Sequence, residues 1–189
     1  MKFEQKAWAK ALLSSYSYLE NICGSINKKV VSYGIGSASN RDTEFVASKI
    51  ISLIDRKKFL INTKVLVDKA LCNLEAEYAR VLVLKFIDKI KVEVAAKAMN
   101  MSLRTYFRKV ELAVDKFASY LLSCGYDDNK IYQTYKNESW ILEIYKSYLD
   151  KYLTENKQIK KNEKLDNRFT DGLNKNYQFG LKNFSAMQC

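Results

Sequence analysis

The stretch that decides the fold is Lys91–Phe117, KVEVAAKAMNMSLRTYFRKVELAVDKF. It reads as two helices joined by a tight turn. Val94, Ala95, Ala96, Ala98 and Met99 give the first helix a small, apolar inner face. Asn100 suits the turn, because Asn tolerates the left-handed backbone that ends a helix. Ser102 supplies a side-chain oxygen for the unpaired amides that open the second helix. There Tyr106, Val110, Ala113, Phe117 and Leu121 recur at spacings of four and three, which makes one buried stripe. Arg104, Arg108 and Lys109 fall between those positions and therefore face outward. A small residue at close helix contact, a turn, a capping Ser and a basic second helix together read as a helix-turn-helix. The plainer alternative is a tight helical pair inside an all-α core.

On the N-terminal side, Trp8, Leu12, Ser15, Leu19, Ile22 and Ile26 alternate spacings of four and three, predicting one amphipathic helix from about Phe3 to Val30. Tyr16, Cys23 and Val30 widen that seam. Gly34 to Asp42 reads as a loop, with Thr43 as the cap of the next helix. From Glu44 to about Leu71 the same alternation runs through Val46, Ile50, Leu53, Lys57, Leu60, Lys64, Val67, Leu71 and Leu74. Ile54, Ile61, Val65 and Cys72 add a second apolar edge. Asn62 is a candidate break; an unbroken helix is on the order of 40 Å long. The two seams predict an antiparallel hairpin, or else a surface joining two protomers. Lys57 and Lys64 on the second seam favour a partly open interface, their stems along its edge and their amines in water. In LEAEYARVLVLKFID, Leu74–Asp88, the run VLVLKF has the look of a buried strand. The acidic start and the lack of a pairing strand favour a helix buried on nearly all sides.

Beyond Leu121, Gly125 is a helix terminator, and short helices follow near Lys130–Tyr135 and Ser139–Leu153. In the latter, Trp140, Ile144, Tyr148 and Leu149 cover the domain. From Thr154 to Arg168 the chain is rich in Lys and Asn and nearly devoid of apolar residues, which reads as disordered or only loosely helical. The end, NYQFGLKNFSAMQC, is a docking tail or a frayed terminus.

Composition narrows the chemistry. A net charge of +11 suits a polyanionic partner. The absence of proline leaves long helices without that interruption. With no His, Cys₂His₂ zinc sites and Ser-His-Asp or Cys-His catalysis are excluded. Cys23, Cys72, Cys124 and Cys189 show no C-x-x-C spacing, and the three internal ones read as small core fillers. The glycines of YGIGSAS lack the Gly-Lys-Ser/Thr of a phosphate loop, and Asp127–Asp128 lack the Gly and Glu of a calcium loop. No enzyme activity and no cofactor are expected. The N-terminal MKFEQKAWAK lacks the continuous apolar core of a signal peptide. The longest apolar run, near Val81–Leu84, is too short to cross a bilayer, so a cytoplasmic location without membrane contact is expected.

The run A-A-K-A-M-N-M-S-L-R-T-Y-F-R-K resembles the DNA-reading part of sigma-factor C-terminal domains (sigma-70 region 4). It is more similar still to phage late-gene activators of the ArpU/RinA type, which share that motif. A small residue in the first helix matches Ala96, the turn matches Asn100 and the cap matches Ser102. The family's S-x-R-T-x-x-R run matches Ser102, Arg104, Thr105 and Arg108. The resemblance covers about Leu74 to Leu121; the last third lies outside it, and Asn stands where many members have Gly. It implies a DNA-binding transcription regulator, an activator of phage or mobile-element origin, with RNA polymerase as a further partner.

The expected architecture is all-α. Residues 1–72 form a hairpin for packing or assembly, with homodimerisation through it as one outcome. Residues 73–125 form a sigma region 4-like helix-turn-helix bundle, 126–153 a helical extension, and 154–189 a flexible basic tail. On double-stranded DNA, Arg104 and Arg108 approach guanine in the major groove, with Ser102, Leu103 and Phe107 on the leading face. Lys97, Thr105 and Lys109 are placed for phosphates. The competing function is a helical adaptor that binds RNA polymerase or another protein without reading DNA. A fragment beginning near Asn73 is expected still to bind DNA, but more weakly and without cooperativity.

Overall fold

The seam from Trp8 to Ile26 builds one helix, α1, Phe3–Gly36, and the second seam builds α2, Thr43–Cys72. The structure, a computed structural model, describes residues 3–36 and 43–155. The two helices run antiparallel. Tyr16 donates to Asp68 at 2.6 Å and Lys64 meets Glu20 at 3.4 Å, so a turn forward on α1 is a turn back on α2. Trp8, Leu12, Leu19 and Ile26 are buried, as are Val46, Leu60 and Val67 opposite them. Ser15 is buried as well, and its hydroxyl donates to the Leu12 carbonyl at 2.8 Å, which satisfies it within the helix. Ile54, Ile61, Val65 and Cys72 lie on the outer side and are exposed.

The structure departs from the local signals at the glycines and at Thr43, and takes the unbroken alternative at Asn62. Gly34 and Gly36, assigned to a loop, continue α1; the cost of Gly in a helix is only about 1 kcal/mol each, which a long helix absorbs. Residues 37–42 of that loop lie outside the described residues. Thr43 is the first helical residue rather than a cap, and α2 passes through Asn62 without a break because that side chain is exposed.

The segment with the strand-like VLVLKF run is helical. It opens as α3, Ala76–Leu82, and widens into a π-helical turn, Val83–Ile87. The Asp88 amide bonds the Val83 carbonyl at 2.9 Å and the Ile90 amide bonds that of Leu84 at 2.9 Å, with Lys89 left-handed between them at φ 53°. Val81, Leu82 and Phe86 are buried, whereas Ile90 is exposed. Next come α4, Val92–Ala98, and α5, Leu103–Ser123. Tyr106, Val110, Ala113, Phe117 and Leu121 are all buried on α5, joined by Val114 and Ala118. On α4 only Ala95 and Ala96 are buried; Val94 and Ala98, expected inward, are exposed. A seven-residue helix lays barely one turn against its neighbour, so its inner face is narrower than its composition suggests.

Gly125, at φ 77°, ends α5 as expected: its amide bonds the Leu122 carbonyl and the Tyr126 amide bonds that of Leu121. Asp127 then caps α6, Asp128–Tyr135, by accepting from the Lys130 amide at 2.7 Å. Residues 139–155 are helical, and α7 denotes their portion 139–148. Tyr145 of α7 stacks on Trp8 with ring centroids 3.9 Å apart, and Ile141 is fully buried.

One core therefore draws on α1, α2, α3, the π turn, α4, α5, α6 and α7, with Trp8, Tyr106, Phe117 and Tyr135 its largest buried side chains. A smaller cluster of Leu19, Ile26 and Leu60 extends along α1 and α2. The chain divides into two units, Met1–Tyr148 and Leu149–Cys189; of the second, residues 149–155 are described and are helical. The divisions expected after residues 72 and 125 fall inside the first unit. The tail from 156 to 189, including NYQFGLKNFSAMQC, lies outside the described residues. The all-α class holds: no strand occurs among the described residues. Cys72 and Cys124 are exposed and fill no core, whereas Cys23 is half-buried and packs against the smaller cluster of Leu19, Ile26 and Leu60. Among the described residues no helix is long and apolar enough to cross a membrane, and no cluster of His, Cys, Asp or Glu could hold a metal.

Candidate functional site

The turn between α4 and α5 fixes where the start of α5 points. Asn100 is left-handed at φ 53°. Its amide bonds the Lys97 carbonyl at 3.0 Å, and the Met101 amide bonds that of Ala96 at 2.9 Å, a complete Schellman ending. Two residues later Ser102 caps α5, its Oγ accepting from the Thr105 amide at 3.1 Å. The Thr105 hydroxyl lies 2.9 Å from the same oxygen. Stop and start signals one residue apart leave the chain no freedom in this corner.

Ion pairs lock the rest of α5 on both flanks. From α1, Lys6 meets Asp115 at 2.7 Å and Lys10 meets Glu111 at 2.8 Å. From α3 and the residue before it, Glu77 pairs with Lys109, and Glu75 with Lys116 at 2.7 Å. The bond to Glu75 holds the Lys116 ammonium above its usual pKa. Acidic side chains of α5 thus face α1, and basic ones face α3. Arg104 and Arg108 stand apart from this pattern. Both are exposed, one turn apart, and among the described residues neither has a salt-bridge partner. They sit at the positive end of a 21-residue helix, where the aligned peptide dipoles also favour an anion.

The eight residues singled out from the sequence divide into two sets. Leu103, Arg104, Phe107 and Arg108 form an exposed cluster on the first turns of α5, and Lys97 is exposed on the last turn of α4. Leu103 is 46% and Phe107 49% accessible, large fractions for apolar side chains with no place in the core. The other three have intramolecular work: Ser102 and Thr105 hold the cap together, and Lys109 ties α5 to α3. Lys85 was not singled out. The sequence puts it on an otherwise apolar stripe with Leu74, Tyr78 and Val81, and that mismatch was the available signal. Its Nζ lies 5.4 Å from the centre of the Phe107 ring. Burial pushes the Lys85 pKa down, the charge of Lys10 pushes the same way, and Glu111 opposes them.

No family model, curated protein or solved structure matches this chain.

Proposed function

We propose that the chain is a sequence-specific DNA-binding regulator that lays the N-terminal turns of α5 in the major groove. The observation that carries this reading is the pair Arg104 and Arg108, exposed one turn apart and unpaired, on a helix whose other basic residues Lys109 and Lys116 are tied to Glu77 and Glu75. An unpaired guanidinium is suited to bidentate contact with guanine O6 and N7. Leu103 and Phe107, beside them, offer apolar contact to thymine methyl groups. Lys97 reaches phosphate from α4 and sets register without reading sequence. The arrangement of α3, α4 and α5 is taken as the sigma region 4-like bundle of the resemblance, with activation of transcription as the outcome.

A second reading, a protein-binding adaptor, draws support from α2. Ile51, Ile54, Ile61 and Val65 keep helical spacing along its outer face and are between 43% and 59% exposed. RNA polymerase or a second copy of the chain would be the partner on that face. Duplex DNA binding with a salt titration separates the two readings. A steep loss of affinity with salt, together with selection of a common sequence from a random pool, supports the regulator. Absence of duplex binding at modest salt refutes it and leaves the adaptor.

A further inference from the structure

Two of the clefts on the unit Met1–Tyr148 differ in chemistry. The larger, about 560 Å³, lies between α2 and the segment joining α6 to α7. Its one buried carboxylate, Glu138, is already satisfied: Arg56 donates to both oxygens at 2.8 Å and the Trp140 indole donates to one at 2.8 Å. The smaller, about 350 Å³, is walled by Ser14 and Tyr18 of α1, the π turn with Lys85, Phe86 and Lys89, and Ile144 and Tyr148 of α7. No carboxylate lines it. Two lysines and three hydroxyl-bearing residues do, together with the apolar Phe86 and Ile144.

These polar groups are already arranged toward one another. Lys89 donates to the Tyr18 hydroxyl at 2.8 Å, and the hydroxyls of Ser14 and Tyr148 lie 2.9 Å apart. Lys85 is half-buried and has no salt bridge among the described residues, since the nearby Glu111 is held by Lys10. Removing an ammonium from water without a counter-charge is costly, and an anion in the cleft relieves that cost. Lys85 lies in the π turn and Lys89, left-handed at φ 53°, just past its end, and both line this one cavity. Single π turns of this kind recur at functional sites, and left-handed non-glycine backbone clusters at ligand clamps.

We propose that this cleft binds a small organic phosphate monoester, Lys85 and Lys89 holding the phosphate while Phe86 and Ile144 hold its apolar part. Charge and size select that class. A phosphate monoester carries about −1.5 to −2 at neutral pH, matching two ammonium groups. The volume is at the lower end of small-molecule sites. Neither Arg104 nor Arg108 lines the cleft, and Lys85 is in contact with the exposed cluster of α5 through Phe107.

Calorimetric titration of the full chain with phenyl phosphate, inorganic phosphate and phenol tests it. Phenyl phosphate is expected to bind saturably at one site, more tightly than inorganic phosphate, and phenol not at all. Lys85→Met and Lys89→Gln are each expected to weaken phenyl phosphate by roughly tenfold, the scale of one lost charge-assisted hydrogen bond. Lys28→Gln, on the exposed side of α1, is expected to leave it unchanged. Lys89 is exposed, so its variant remains informative even if Lys85→Met lowers the melting temperature. Non-saturable binding, equal binding by Lys89→Gln, or an equal loss in Lys28→Gln overturns the assignment.

Discussion

Asn100 and Ser102 were legible in the sequence because their partners are within four residues: the left-handed turn closes on Ala96 and Lys97, and the cap closes on Thr105. Asn100→Val should lower stability by about 1–2 kcal/mol, the cost of a left-handed backbone for an ordinary side chain, whereas Asn100→Gly should be near neutral. Denaturant midpoints of the two variants check this, and equal midpoints would deny the turn its role. Lys109 was not legible, because its partner Glu77 is 32 residues away and comes into reach only in the fold. Sequence spacing gave Lys109 the same outward status as Arg104 and Arg108. The ion pair ties it to α3 instead. Lys109→Ala is therefore expected to change stability by less than about 1 kcal/mol, as for other partly exposed pairs, and to leave DNA sequence preference unaltered. A changed preference in a binding-site selection would return Lys109 to the interface.

At the scale of elements, helices were easiest to read where a stripe of large apolar residues repeats over several turns, as in α1, α2 and α5. Length misled where the repeat was short. The seven residues of α4 carry five small or apolar candidates, yet only Ala95 and Ala96 are buried. The π turn after Leu82 had no sequence signal, because one extra residue per turn leaves local composition unchanged. Close packing of Ala95 and Ala96 in the core with Tyr106 and Val110 makes a direct prediction. Ala96→Leu should destabilise the fold by about 1–3 kcal/mol through overpacking, and DNA affinity should fall with it. The mirror change Ala98→Leu, at an exposed position of the same helix, should do neither. Thermal melts of both variants decide between a packed contact and a merely permissive helix former.

For the whole molecule, the long α1–α2 pair is part of the fold that presents α5, since Trp8, Leu12 and Leu13 share one core with Phe117 and Leu121. Two seams preceding a basic motif read naturally as a separable arm, and no local pattern reveals that α1 crosses to α5 through Lys6 and Lys10. A fragment beginning at Asn73 loses these contacts and is expected to lack a cooperative melting transition, which circular dichroism would show. A folded fragment that binds DNA would restore the arm. Presentation of α5 leads to the central claim, that Arg104 and Arg108 read DNA. The most direct measurement is selection from a random duplex pool by the native chain and by the double variant Arg104→Ala, Arg108→Ala. Both side chains are exposed and without a salt bridge among the described residues, so the variant should melt with the native protein. The account predicts that the native chain enriches one common sequence, with each arginine contributing about 1–3 kcal/mol of discrimination, and that the variant enriches none. Enrichment of the same sequence by both proteins, or by neither, would contradict it.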